Sequence, residues 1–165
     1  EDDEVLIMEG IHCLNDQLTP AIDKRQKFKI YISALTVLNI DYYNRISTTD
    51  TRIVRRTVRD SRFRGYDALK TLSSWYSISA GEEKYIFPFQ EDADVMFNTS
   101  LIYEINALKK YALPLFSKIG KEEKEYAEAK RLTEFLKYFE QIDVEDIPKN
   151  SLLREFIGGG IFKYD

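Results

Sequence analysis

The sequence predicts an α/β fold, a mostly parallel sheet with flanking helices. Two observations carry that prediction. Three short runs, VLIMEGI (5–11), FKIYIS (28–33) and DVMFNT (94–99), read as strands, and the first has the continuous apolar character of a strand covered on both faces. Between and after them lie stretches whose apolar residues recur at helical spacing. Short apolar runs also fit buried helix segments, which leaves the strand reading to be tested by the structure.

Taken in order, VLIMEGI ends in Glu9 and Gly10, a charge and a turn residue at the carboxyl end of the expected strand. FKIYIS is the second expected strand. Residues 51–60 are predicted to form a helix with Asp50 as N-cap. On that helix Arg52, Arg55, Arg56 and Arg59 fall at i, i+3, i+4 and i+7, a single face. Val54 and Val58 share another face, with Ile53 and Thr57 beside it. Gly65 supplies a left-handed turn. A second helix is expected from near Asp67 through Leu69, Leu72, Trp75 and Tyr76 toward Gly81. GEEKYIFPFQEDAD follows as an ordered loop, because Pro88 forbids a central strand there. After DVMFNT, the third expected strand, Leu101, Ile105, Leu108, Ala112 and Leu115 keep helical spacing, with Pro114 expected to kink or end the helix. A turn at 117–120 leads to a second apolar stripe, Tyr126, Ala129, Leu132, Phe135, Leu136 and Phe139. Pro148 precedes a last segment, SLLREFIGGGIFKYD, whose three glycines, 158–160, make a flexible or tightly turned element. No internal repeat or low-complexity linker interrupts the chain, and one domain is the simplest account.

The 165 residues suffice for one hydrophobic core, and the 44% hydrophobic content predicts a globular chain. A formal net charge of −4 argues against a general nucleic-acid coat and against an anionic membrane partner, while leaving room for a local basic patch. Cys13 is the single cysteine, so no intrachain disulfide forms; that suits a reducing, cytoplasmic setting. No run approaches the roughly 18 apolar residues of a membrane span, and no signal-peptide pattern opens the chain. The chain begins Glu-Asp-Asp-Glu without methionine and reads as a piece of something longer.

Residues 44–65, NRISTTDTRIVRRTVRDSRFRG, gather seven arginines in this acidic chain. Like charges one turn apart on a helix cost a few tenths of a kcal/mol per pair. Only Asp50 and Asp60 are acidic within the segment, although Glu82, Glu83, Glu91 or Asp92 could reach it by tertiary contact. Spacing leaves two readings open, an anion site and an internally paired ion network. Arginine suits the first, because its planar fork holds two phosphate oxygens at once and several such groups stabilise a phosphoryl group in flight. No helix-turn-helix or finger pattern accompanies the stripe, which argues against base-specific DNA reading.

Glu9, at a strand's carboxyl end, stands where ligands collect in parallel α/β sheets and where a carboxylate holds Mg²⁺ directly or through water. The competing reading is an ordinary cap or ion pair. His12, the only histidine, lies just beyond the same expected strand, so a general-base role is open; without a second histidine or a cysteine pair it makes a poor zinc site. Cys13 is expected as a small buried filler. It is not expected to be a nucleophile served by His12, since adjacent side chains of an extended segment point apart. Trp75, Phe87 and Phe89 read as core packing before pocket lining, Trp75 above all.

The apolar run followed by EG, together with DTRIVRRTVRDSRFRG, resembles the uridine kinase and phosphoribulokinase family of P-loop kinases. The longer stretches KFKIYISALTVLNIDYYNRISTTDTRIVRRTVRDSRFRG, GEEKYIFPFQEDADVMFNTSLIYEINALKKYALPL and NSLLREFIGG resemble the uridine-kinase-like domain of a larger bacterial protein type. There, a region similar to threonyl-tRNA synthetase accessory domains precedes the kinase domain. The resemblance implies a partial P-loop-kinase-like sheet over 1–165, with an arginine-rich lid at about 44–65. It implies ATP and Mg²⁺ as cofactors and a nucleoside such as uridine, or another small hydroxyl compound, as acceptor. It places Glu9 near Mg²⁺ and the reacting phosphate. It places Arg52, Arg55, Arg56 and Arg59 on the lid helix facing ATP phosphates or acceptor, Arg64 at a further lid or substrate-side position, and Asp50 where an acid helps to place the lid helix.

The chain departs from the family in two respects. GxxxxGK(S/T), the phosphate-cradling loop, does not occur: Gly120–Lys121 is followed by Glu122, and the glycines 158–160 by Ile161. The acceptor-activating aspartate expected between that loop and the EG strand is likewise missing, and both are expected upstream of Glu1. The resemblance therefore implies the second half of a kinase site, inactive by itself. A sheet without the P-loop strand would leave an exposed edge that favours a homodimer. Two further readings stand beside the kinase: a regulatory module that binds a nucleotide, a phosphorylated metabolite or RNA without chemistry, and a structural dimerisation piece whose arginines pair with protein carboxylates.

Overall fold

The computed structural model describes residues 4–163 and has an α/β architecture: a two-stranded parallel sheet and five α-helices among the described residues. The chain divides into two compact units, Glu1–Ser33 with Ser77–Asn98, and Ala34–Tyr76 with Thr99–Asp165.

The first unit holds the sheet. β1 (Ile30–Ser33) pairs in parallel with β2 (Val95–Asn98), Ile30 opposite Val95 and Ile32 opposite Phe97. These are the two runs rich in β-branched and aromatic residues, which fit a pleated surface. Asp94 fixes the register: its carboxylate accepts the Lys29 backbone N–H at 2.7 Å, while its own N–H donates to the Lys29 carbonyl at 3.0 Å. Asp16 gathers the Lys29 and Lys27 ammonium groups, at 2.9 and 3.1 Å, and those two cations hold its carboxyl well below the usual carboxylate range. A 3₁₀ helix with Pro88 in its first turn, Phe87–Asp92, leads into β2 with Phe87 and Phe89 half-buried.

The expected strand at 5–11 does not form. Val5, Leu6 and Ile7 are all at least 80% exposed, and residues 10–14 make a turn closed by the Cys13 N–H on the Gly10 carbonyl at 3.1 Å. A strand exists only by pairing, and no described segment pairs with this run. Cys13 is consequently exposed and is no core filler. The loop expected from Gly81 onward is also shorter than the sequence suggested. α2 (Ala68–Tyr85) carries through Gly81, the helix-forming Glu82, Glu83 and Lys84 offsetting the glycine's cost of about 1 kcal/mol.

The second unit is helical. α1 (Thr48–Arg59) buries Ile53, Val54, Thr57 and Val58. It packs against α3 (Glu104–Phe116), which packs in turn on α4 (Tyr126–Lys137). Ile105, Leu108, Phe116, Leu132 and Leu136 form the centre of the core, and Trp75 packs on it partly buried, as its sequence context predicts. Ser47, not Asp50, is the N-cap of α1. Its hydroxyl accepts the Asp50 N–H at 3.3 Å, so the helix starts three residues earlier than expected and Asp50 lies in its first turn. Both are good capping residues, and starting at Ser47 places an acid near the positive end of the helix dipole. Pro114 sits in the last turn of α3, which ends at Phe116, as expected of a proline that removes one helical donor. A short helix, α5 (Arg154–Ile157), contacts α1 and α3 and ends at Gly158, φ +81°. Arg154 is buried and feeds its guanidinium to the carbonyls of Val144 at 2.9 Å, Gly158 at 3.2 Å, and Ile147.

Candidate functional site

The arginine-rich segment folds as α1 followed by a π-helical turn, Asp60–Arg64, closed by Gly65 in the left-handed conformation the sequence predicts, φ +65°. Amphipathicity is why α1 forms here: Ile53, Val54 and Val58 face the core, and Arg52, Arg55, Arg56 and Arg59 are left half-buried on the remaining surface.

Arg55, Arg56, Arg59 and Arg64 meet carboxylates. Arg55 Nε donates to Glu104 Oε2 at 3.1 Å, and its Nη2 bonds the same oxygen and the Thr99 carbonyl. Its guanidinium carbon also lies 5.3 Å from the centre of the Phe156 ring, a cation–π contact. Glu104 is 1% exposed, and burial pushes its carboxyl up, opposed by Arg55 and by the Leu101 N–H. Arg56 Nε lies 3.3 Å from Asp60 Oδ2, and Arg64 Nη1 donates to Asp60 Oδ1 at 3.0 Å. Asp60 is thus a buried hub serving two cations, with the Thr71 hydroxyl as a third donor at 3.3 Å. Arg59 Nη1 reaches Glu155 Oε1 at 3.4 Å.

The network leaves donors over. Arg56 Nε and Arg59 Nε are buried and donate no hydrogen bond, although Arg56 is within ion-pairing distance of Asp60. Such orphaned N–H groups are uncommon in a finished structural network and suit an anion that is not part of the chain.

Sequence reasoning named the arginines and Asp60 but not their main partners. Glu104 and Glu155 lie 49 and 96 residues from the arginines they meet, and no local pattern marks them. Arg62, beyond the helix the spacing predicts, donates from its Nη1 to the Ile157 carbonyl at 2.6 Å. Asp50 is engaged by Arg131 of α4, another residue the sequence did not mark.

Glu9, in the first unit, is an exposed carboxylate preceding the turn at 10–14, not the end of a formed strand. Among the described residues no group of three His, Cys, Asp or Glu side chains is placed to hold a metal ion. His12, also in the first unit, is exposed and meets the Tyr85 ring edge-on at 6.2 Å. A cavity of about 350 Å³ opens in the second unit beside Tyr66, Asp67, Lys118 and Glu122, and none of the arginines lines it. No helix among the described residues is long and apolar enough to cross a membrane.

No curated protein and no solved structure matches the chain. Residues 1–105, which include Glu9, both strands and all of the arginine segment, match the Phosphoribulokinase / Uridine kinase family.

Proposed function

Because the chain belongs to the Phosphoribulokinase / Uridine kinase family, we propose that it supplies the arginine face of an ATP-dependent kinase. That kinase transfers the γ-phosphoryl group to a hydroxyl of a nucleoside such as uridine. The observation that carries this reading is the stripe of Arg52, Arg55, Arg56 and Arg59 on one face of the family-matched helix, where the Arg59 Nε–H makes no hydrogen bond and the Arg56 Nε–H has only the ion-pairing approach of Asp60 at 3.3 Å. A phosphate oxygen satisfies such donors, and planar guanidinium groups neutralise the charge that spreads over a transferring phosphoryl group. Arg55, braced by buried Glu104, is positioned rather than free to swing, and Arg52 and Arg64 extend the cationic surface along the helix and its following turn.

Glu9 has the right chemistry for one Mg²⁺ ligand. Mg²⁺ is commonly held by one or two carboxylates, with water and substrate phosphates completing its shell, so an exposed carboxylate fits and a ready-made cage is not required. When bound, ATP supplies the phosphoryl group and Mg²⁺ neutralises phosphate charge. The 165 residues contain no GxxxxGK(S/T) loop. We therefore expect the chain to bind phosphate by its arginines and, alone, to transfer none. A cytoplasmic setting agrees with its lone cysteine, and the open edges of a two-stranded sheet favour association with a second copy.

A second reading is favoured by the carboxylate partners of Arg55, Arg56, Arg59 and Arg64. In it the arginines form an internal ion network, and the chain is a catalytically silent module. Titration calorimetry separates the two. The chain is titrated with ATP, inorganic phosphate and uridine, each with and without Mg²⁺, beside Arg56→Gln and Arg59→Gln. The kinase reading expects phosphate and ATP binding that each substitution weakens about tenfold, the scale of one lost charge-assisted bond. Equal binding by folded variants and parent leaves the internal network as the account.

A further inference from the structure

The arginine segment is covered by a part of the chain outside the family match. The match ends at residue 105, whereas α5 and the glycines after it lie at 154–160. Three arginines meet this element: Arg55 stacks over the Phe156 ring, Arg59 pairs with the Glu155 carboxylate at 3.4 Å, and Arg62 binds the Ile157 carbonyl at 2.6 Å. A carboxylate and a carbonyl thus sit where two guanidinium groups would otherwise receive anion oxygens.

We propose that residues 154–160 form a strap that competes with phosphate for Arg59 and Arg62, an autoinhibitory contact built into this chain. The proposal rests on the reading of the arginine face as an anion site. The root of the strap is fastened: the Arg154 guanidinium holds the Val144, Ile147 and Gly158 carbonyls, and Phe156 and Ile157 are buried. Its tip is not. Glu155 and Arg59 are each about one-third exposed at the side chain, and an exposed ion pair contributes little. Phosphate, with more charge and more acceptor oxygens than one carboxylate, displaces Glu155 without unseating α5.

Gly158 is what lets the carbonyl beside it let go. Its backbone, φ +81° with ψ −178°, lies in a region essentially reserved for glycine. A Cβ there would stand 2.4 Å from Arg62 Nη2, so only glycine lets the guanidinium lie against the chain. Gly159, φ +71°, continues the turn. With two glycines in sequence, the backbone after Ile157 changes conformation at low steric cost once Arg62 turns to an anion, the Gly158 N–H bond to the Arg154 carbonyl at 2.8 Å being the contact that must open.

The test uses the whole chain, titrated with inorganic phosphate while amide hydrogen exchange is read at 155–160. Glu155→Gln is expected to bind phosphate about two- to five-fold more tightly than the parent, the scale of one exposed ion pair. Phosphate is expected to speed exchange at 158–160 in the parent, a response that a mere change of net charge does not produce. Gly158→Ala, confirmed folded by circular dichroism, should show fast exchange there without ligand. Phosphate binding to Glu155→Gln but not to the parent also supports the strap. If the parent binds phosphate with Glu155→Gln unchanged and exchange at 158–160 unmoved, the strap is wrong and the anion face stands. If parent and both variants bind none, the anion face is wrong and the strap falls with it.

Discussion

Arg131 of α4 grips Asp50 of α1 with both terminal nitrogens, Nη1 at 2.9 Å from Oδ2 and Nη2 at 2.7 Å from Oδ1. This fork ties the first turn of the arginine helix to a helix that begins beyond residue 105, the end of the family match. The Arg131 side chain is 48% exposed and that of Asp50 only 11%, so solvent screens part of the attraction while the acid depends on its partner. Arg131→Ala is expected to destabilise the chain by about 1 kcal/mol, read as a lower urea midpoint at unchanged slope. Arg131→Lys should recover only part of that, since an ammonium cannot make the fork. Arg131 also holds the Glu128 carboxyl below its usual value. Glu128 therefore adds stability at pH values above its ordinary 4.5, lost as pH falls through the lower folded value, and Arg131→Ala should flatten that acid limb.

Leu108 is 0% exposed, among the core side chains shared by α1, α3 and α4. Leu108→Ala is expected to cost about 2–5 kcal/mol, the transfer loss plus an unfilled cavity. Leu152, which is 48% exposed, supplies the contrast: Leu152→Ala should stay within about 0.5 kcal/mol. Equal effects in chemical denaturation would show that the second unit is not built around Leu108.

What the sequence reveals and conceals divides along the range of the interactions. Ile30–Ser33 and Val95–Asn98 are legible as strands because their residue types suit a pleated sheet, and the two runs pair. VLIMEGI has the same local character and is no strand, because pairing depends on a neighbour that its own residues do not encode. The spacing of Ile53, Val54 and Val58 against the arginines is a local signal and fixes α1, whereas its cap is blurred by a run, STTD, offering several capping residues. The cationic half of the candidate site is contiguous and visible. Asp60, the acid that serves Arg56 and Arg64, is contiguous with them, whereas Glu104, Glu155 and the Ile157 carbonyl come from residues far along the chain, where nothing distinguishes one carboxylate from another.

The sheet of the first unit leaves much apolar surface in water. In the β1–β2 register Ile30 and Ile32 stand opposite Val95 and Phe97, and all four are exposed, as are Val5, Leu6 and Ile7. Two strands alone are marginal, and each is an edge. Sedimentation is expected to show concentration-dependent association that Ile32→Lys reduces. A chain monomeric across the whole concentration range would count against it.

Glu104 offers the sharpest test of the arginine network. Arg55 braces on it, and the two side chains are 13% and 2% exposed. Removing the acid strands a buried cation, so Glu104→Ala is expected to cost about 3–5 kcal/mol. The acid's titration gives a second, independent readout. Burial raises its folded pKa above the ordinary 4.5 despite the attraction of Arg55. The folded state therefore binds this proton more tightly than the unfolded one, and the sign follows: stability falls as pH rises from 4.5 through the folded value. Glu104→Gln keeps an acceptor for Arg55 but has no proton to lose. The difference in unfolding free energy between the parent and Glu104→Gln should thus move in the parent's favour as pH drops from neutral toward 4.5. Movement the other way would mean that Arg55 outweighs burial and that the carboxylate is stabilised where it lies. In that case the pair contributes net stability at neutral pH, and Arg55 is too firmly held to turn toward a phosphate.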